Sequence, residues 1–132
     1  MTDAQFAGGC LCGAIRFEAR GEPYRVGICH CMDCRKQSGS LFGAFAIFPA
    51  DAVTISGDAA SYGDRGFCPN CGSPVFGRWE DEIGLALGSL DAPSQLKPSY
   101  EGWMRRREEW LPEFDVVRRY EGNREGSGRS EP

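Results

Sequence analysis

Long apolar runs are missing from this sequence. No stretch is apolar over the roughly 20 residues that a helix needs to cross a bilayer, so no membrane span is expected. A basic segment followed by an apolar one is missing from Met1-Thr2-Asp3-Ala4-Gln5 as well. No export signal is therefore expected, and a cytoplasmic location is the default. An excess of positive charge is also missing. The net charge is −4 and the pI lies near 5.0, which tells against a nucleic-acid footprint. Arg105-Arg106-Arg107 is the one dense basic run, and Glu108-Glu109 follows it at once, so it reads as solvated or ion-paired surface. There is no internal repeat. Finally, no cysteine stands outside three short stretches: Gly9-Cys10-Leu11-Cys12-Gly13, Cys29-His30-Cys31-Met32-Asp33-Cys34 and Cys68-Pro69-Asn70-Cys71-Gly72.

What is present suits one small domain. The chain has 132 residues, 41% of them hydrophobic, enough for one core. Eighteen glycines and eight prolines imply many turns. The segments between them are short and rich in β-branched and aromatic residues. Ala14–Ala19 alternates apolar and polar, as a half-buried strand does. Tyr24–Ile28, Gly43–Phe48, Val53–Ile55 and Ala60–Tyr62 read as further strands, and Pro74–Trp79 with Ile83–Leu87 as a hairpin. Asp33–Ser38 and part of Glu101–Leu111 are expected to be short helices, Ser94–Tyr100 a loop, and Val116-Val117 a last strand. The expected architecture is mainly β. Residues 1–121 form the domain, and 122–132, polar and glycine-rich, form a tail that should fray.

The cysteines carry the chemistry. In a reducing compartment clustered thiols bind metal more readily than they form disulfides, and seven cannot all pair within one chain. Cys68-x-x-Cys71 before a glycine is a zinc knuckle, which supplies two ligands. Cys10-x-Cys12 between glycines supplies two more, because residues two apart on an extended segment face the same side. Cys10, Cys12, Cys68 and Cys71 are thus expected to hold a structural zinc. Cys29 and Cys31 share a side by the same rule, and Cys31 and Cys34 share the face of a turn, so these three also converge. Three protein ligands and one open position describe a functional zinc. His30, between two inward residues, should point the other way.

Three thiolates on Zn²⁺ leave a charge of −1, which makes a poor source of hydroxide but a good place to keep an incoming thiol deprotonated. Arg35 and Lys36 put cationic charge next to this cluster in sequence, suited to a carboxylate-bearing ligand. Gln37-Ser38-Gly39-Ser40 offers small polar contacts. His30 and Asp33 are candidate bases by proximity. A redox reading, with Cys31 and Cys34 as a disulfide, fits the spacing but leaves Cys29 unused.

These blocks resemble a known family. The Cys10/Cys12 stretch, Cys29-His30-Cys31-x-x-Cys34-Arg35-Lys36-Gln37-Ser38-Gly39 and Arg65-Gly66-Phe67-Cys68-Pro69-Asn70-Cys71-Gly72-Ser73 are similar to the glutathione-dependent formaldehyde-activating family, which includes centromere protein V-type zinc domains. Gly88-Ser89-Leu90-Asp91 and Trp103 to Trp110 resemble its later blocks. The resemblance implies an Mss4-like, mainly β fold with two zinc ions, one structural and one functional. It implies a carbon–sulfur lyase activity that joins glutathione to formaldehyde as S-hydroxymethylglutathione. Cys29, Cys31 and Cys34 would form the catalytic centre, and Arg35 and Lys36 would bind the co-substrate. The implied partner is a small thiol. The competing reading is a zinc module that binds thiols without turnover, as a glutathione carrier or sensor. Pro98-Ser99-Tyr100-Glu101-Gly102-Trp103 departs from the family pattern, where many relatives have a histidine followed by an apolar residue. For Tyr100, Trp103 and Trp110 core packing is the expected role, with a cavity wall as the alternative.

Overall fold

The computed structural model describes residues 4–126 and 128–131. Among them the strands are β1 (Gln5–Gly9), β2 (Arg16–Arg20), β3 (Arg25–Cys29), β4 (Gly43–Pro49), β5 (Val53–Ser56), β6 (Ala60–Tyr62), β7 (Arg65–Phe67), β8 (Pro74–Trp79), β9 (Glu82–Ala86), β10 (Tyr100–Gly102) and β11 (Arg118–Arg119), with one helix, α1 (Met32–Ser38). The mainly β expectation holds. No helix is long and apolar enough to cross a membrane.

Alternation builds β2: Phe17 and Ala19 are buried while Arg16, Glu18 and Arg20 face out. It pairs antiparallel with β1 on one side and β5 on the other, giving a three-stranded sheet. The second sheet has eight strands in the order β11-β10-β3-β4-β9-β8-β7-β6. Its neighbours run antiparallel except β10, which lies parallel to both β3 and β11. Phe6, Phe17, Phe48, Val75, Ile83 and Leu85 fill the core, all 9% exposed or less. An antiparallel bridge between Gly8 and Leu90 adds a backbone link between β1 and the chain after β9.

Several expectations change in detail. β5 and β6 follow one another in the chain but join different sheets. β1, β7 and β10 were not expected as strands. β1 ends in two glycines because a Cβ on Gly8 would lie 2.1 Å from the Ser89 carbonyl oxygen. Within Glu101–Leu111 the helical part is one 3-10 turn, Met104–Arg106, entered through Trp103 at φ 57°. The last strand falls at Arg118–Arg119 rather than Val116-Val117. Val117 is exposed, and pairing begins at Arg118 opposite Tyr100, next to Arg119, which reaches the buried Glu101 carboxylate at 3.4 Å.

Within the stretch expected as a tail, some of the described residues make contacts, while 127 and 132 lie outside the described residues. Arg129 pairs with Asp81 and Glu82, its carbonyl accepts from Arg25, and Glu131 accepts from Tyr120 and pairs with Arg124.

Candidate functional site

Two turns and one strand end bring the cysteines together. Cys10 and Cys12 lie in the turn between β1 and β2, and Cys68 and Cys71 in the turn between β7 and β8. Their four sulfurs all lie within 4.8 Å of one another. Cys12 Sγ sits 3.7 Å from both Cys10 Sγ and Cys68 Sγ. Sulfurs of a tetrahedral zinc, each ~2.3 Å from the metal, stand ~3.8 Å apart, so this donor set fits the ion. Amides already point at the sulfurs: Ile15 N–H donates to Cys10 Sγ at 3.2 Å, and Asn70 Nδ2 donates to Cys12 Sγ at 3.3 Å. The Ser73 hydroxyl and amide pull the Cys71 thiol down to about 5, with help from the amide of Cys12. Cys68 rests near 11 despite donation from the Cys71 amide, because burial and the thiols of Cys10 and Cys71 oppose ionisation.

The second cluster grows from the end of β3. Cys29 closes that strand, Cys31 caps α1 with its sulfur accepting from the Cys34 amide at 3.3 Å, and Cys34 faces inward from the first turn. Gly39, at φ 71°, ends the helix. Here too the three sulfurs lie within 4.8 Å of one another. Cys34 is held near 6 by hydrogen bonding from Cys29 and from Arg65, against burial. Cys29 is pushed far up by its bond to Cys34 and by burial. One thiolate is thus stabilised before any metal arrives, and a soft ion such as zinc suits three converging sulfurs.

The trio opens onto a cavity of about 560 Å³. Asp33, Gln37 and Arg65 lie beside it, Arg25, Trp79 and Tyr100 line the wall, and Trp103, Asn123 and Arg124 complete it. Tyr100 and Trp103 are therefore wall rather than core, and Trp110 is neither, being 69% exposed. The cation at the sulfurs is Arg65, whose Nη atoms stand 3.6 and 3.7 Å from Cys34 Sγ while Nη1 also donates to Gln37. Arg35 and Lys36 do not line the cavity. Arg35 is turned toward Glu108 and the Arg106 carbonyl, as an outward side chain of a short helix must be when Cys34 faces in. Nothing local in the sequence marks Arg65. Its position three residues before Cys68 in the knuckle block is the one available signal. His30 faces away from the thiols, as expected, and is buried against Glu101.

Comparison with known proteins adds to this geometry. The family model described as glutathione-dependent formaldehyde-activating enzyme matches residues 5–106. An uncharacterized lyase of Schizosaccharomyces pombe is 32% identical over 77 residues, covering 54% of this chain and 56% of the relative. A protein of Aspergillus flavus, provisionally named a glutathione-dependent formaldehyde-activating enzyme, is 30% identical over 114 residues, covering 76% of this chain and 59% of the relative. A Penicillium rubens protein with the same provisional name is 33% identical over 90 residues, 58% of this chain and 47% of the relative. The chain thus spans about half the length of the curated relatives it matches. A crystal structure of a Rhodobacter sphaeroides protein shares the fold, with a TM-score of 0.52 at 19% identity over 67% of this chain and 91% of that one.

Proposed function

Because the chain belongs to the glutathione-dependent formaldehyde-activating enzyme family, we propose that it catalyses carbon–sulfur bond formation between a glutathione-like thiol and formaldehyde or a related aldehyde. The observation that carries this reading is the meeting of three thiols and one guanidinium at the end of a cavity large enough for a small peptide. Cys29, Cys31 and Cys34 would hold the functional zinc, and Cys10, Cys12, Cys68 and Cys71 the structural one. When bound, the functional ion supplies a position at which a fourth thiol stays ionised at neutral pH.

The protein's own groups do the rest. The co-substrate sulfur attacks the aldehyde carbon, a C–S bond forms, and the carbonyl π pair moves to oxygen. The proton released by the thiol ends on that oxygen, so the adduct is a neutral hemithioacetal and nothing is oxidised. Asp33, which lines the cavity, would carry this proton. Arg65 offsets the negative charge gathered on the sulfurs. Tyr100 and Trp103 give the wall an apolar face for the peptide stem. Arg25 and Arg124 also line the wall, each already paired with a carboxylate, Glu82 and Glu131. Arg35 and Lys36 do not line the cavity and are not assigned to the co-substrate here.

The test is exchange spectroscopy. Glutathione and formaldehyde at equilibrium with their adduct exchange slowly without catalyst, and the rate is expected to rise in proportion to added zinc-loaded protein. A ligand-induced shift without faster exchange would replace this reading with that of a thiol-binding module. Arg65→Met should lower the catalysed rate by roughly 10- to 100-fold, the worth of one hydrogen bond to a charged partner. A rate within two-fold of the parent would remove Arg65 from the site.

A further inference from the structure

The back of the three-cysteine cluster holds a group of charges that the proposed chemistry does not use. His30 and Glu101 are both fully buried. His30 Nε2–H donates to Glu101 Oε2 at 2.7 Å. Arg107 Nε donates to the same oxygen at 3.2 Å, and Arg119 Nε stands 3.4 Å from the other. The arginines are themselves anchored, Arg107 to the carbonyls of Leu111 and Pro112 and Arg119 to that of Phe114. Phe42 and Phe114 cover the group, with Phe42 edge-on to His30 at 5.6 Å.

Stability alone does not account for this cluster. Burying a carboxylate and an imidazole, with two partly exposed guanidiniums drawn to them, is costly, and apolar residues of similar volume often serve as well or better. His30 Nδ1 also remains buried with no hydrogen-bond partner among the described residues. The location supplies a reason. β10 runs parallel to β3 with Gly102 opposite Cys29. The Gly102 carbonyl accepts from the His30 amide at 3.1 Å, while Glu101, one residue earlier, takes the His30 ring. His30 is thus held at its backbone and at its side chain by consecutive residues of one strand. It is also the residue between Cys29 and Cys31. A residue fixed at two points fixes the direction of the Cα–Cβ bonds on either side of it.

We propose that His30 and Glu101, braced by Arg107 and Arg119, are positioning residues that set the direction of the Cys29 and Cys31 thiols. They thereby set the metal affinity of the three-cysteine site without acting on the four-cysteine site. This rests on the reading that the trio holds a metal. Partners that orient ligands from behind are typically worth ~10- to 100-fold in affinity.

Cobalt(II) titration of the apoprotein tests this, because its visible bands report the geometry and number of thiolates at each site. The parent should load two ions. His30→Leu, apolar and of similar size, should load the four-cysteine site unchanged. At the second site it should lose about 10- to 100-fold in affinity and show an altered spectrum. His30→Gln, whose amide reaches the position of Nε2, should recover most of the loss. Where His30→Leu does not fold, Arg119→Gln takes its place, with a smaller but equally selective loss expected. The proposal is overturned if the apolar variant keeps the parent's second-site affinity and spectrum, if both sites weaken alike, or if Gln does no better than Leu. A parent that loads cobalt at the four-cysteine site alone overturns both this inference and the metal reading beneath it.

Discussion

Cys71→Ser is expected to leave the chain unfolded or aggregated, whereas Cys34→Ser is expected to leave a folded chain that has lost one metal. The asymmetry follows from where each cluster sits in the chain. The four-cysteine cluster closes the β1–β2 turn onto the β7–β8 turn, and its contact between Cys12 and Cys68 spans 56 residues. Closing so long a loop removes much conformational freedom from the unfolded chain. Structural zinc in small domains is worth ~10–16 kcal/mol of apparent binding free energy, against a total stability of ~5–15 kcal/mol for an ordinary domain. A weakened ligand set there therefore removes most of what holds the fold. Cys29, Cys31 and Cys34 sit within one short stretch, where β3 and α1 already fix their order. Losing one of them costs local metal affinity and little else. Circular dichroism with metal analysis per chain separates the two variants. If both unfold alike, the division into a structural and a functional site is wrong.

Gly27→Ala should destabilise the fold and weaken the cavity together. A Cβ at Gly27 would lie 2.2 Å from Tyr100 Cζ and 2.4 and 2.6 Å from the two Cε atoms. The obstacle is a ring face rather than a flexible tip, and Tyr100 is directly opposite Gly27 in the parallel β3–β10 pairing. Either the ring leaves the cavity wall or the two strands part. Overpacking of this kind costs ~1–3 kcal/mol, or several degrees in melting temperature for a domain of this size. Binding of a thiol ligand should weaken further, since the displaced ring lines the cavity. Tyr100→Ala in the same chain removes the clash. The double variant should thus be more stable than the sum of the single effects allows. Strict additivity in thermal melts would show that the close approach is not the cause.

Much of this is legible in the order of the residues. Grouping of the sulfurs into two pairs and a trio follows from spacing, because an x or xx gap on extended or turning backbone forces neighbouring sulfurs to one side, and the four-ligand need of a structural zinc joins the two pairs. The β2 strand was visible for the same local reason: its alternation depends on nothing but the pleat. β10 was not visible. Tyr-Glu-Gly has no strand pattern, and its glutamate looks like a surface residue until two arginines and a histidine are found around it. Trp110, large and apolar, was expected inside and lies outside because no element covers it.

Local spacing decided which thiols pair, that the middle three converge, and which way His30 turns. The folded arrangement decided what surrounds them. Arg65 reaches Cys34 from 31 residues away, and Glu101 reaches His30 from 71. Arg35, adjacent to Cys34 in the chain, is carried off by the helix to Glu108. Charge acts through distance in space. The order of residues reveals that distance within a strand or a turn, but not between strands that meet only when the sheet is assembled.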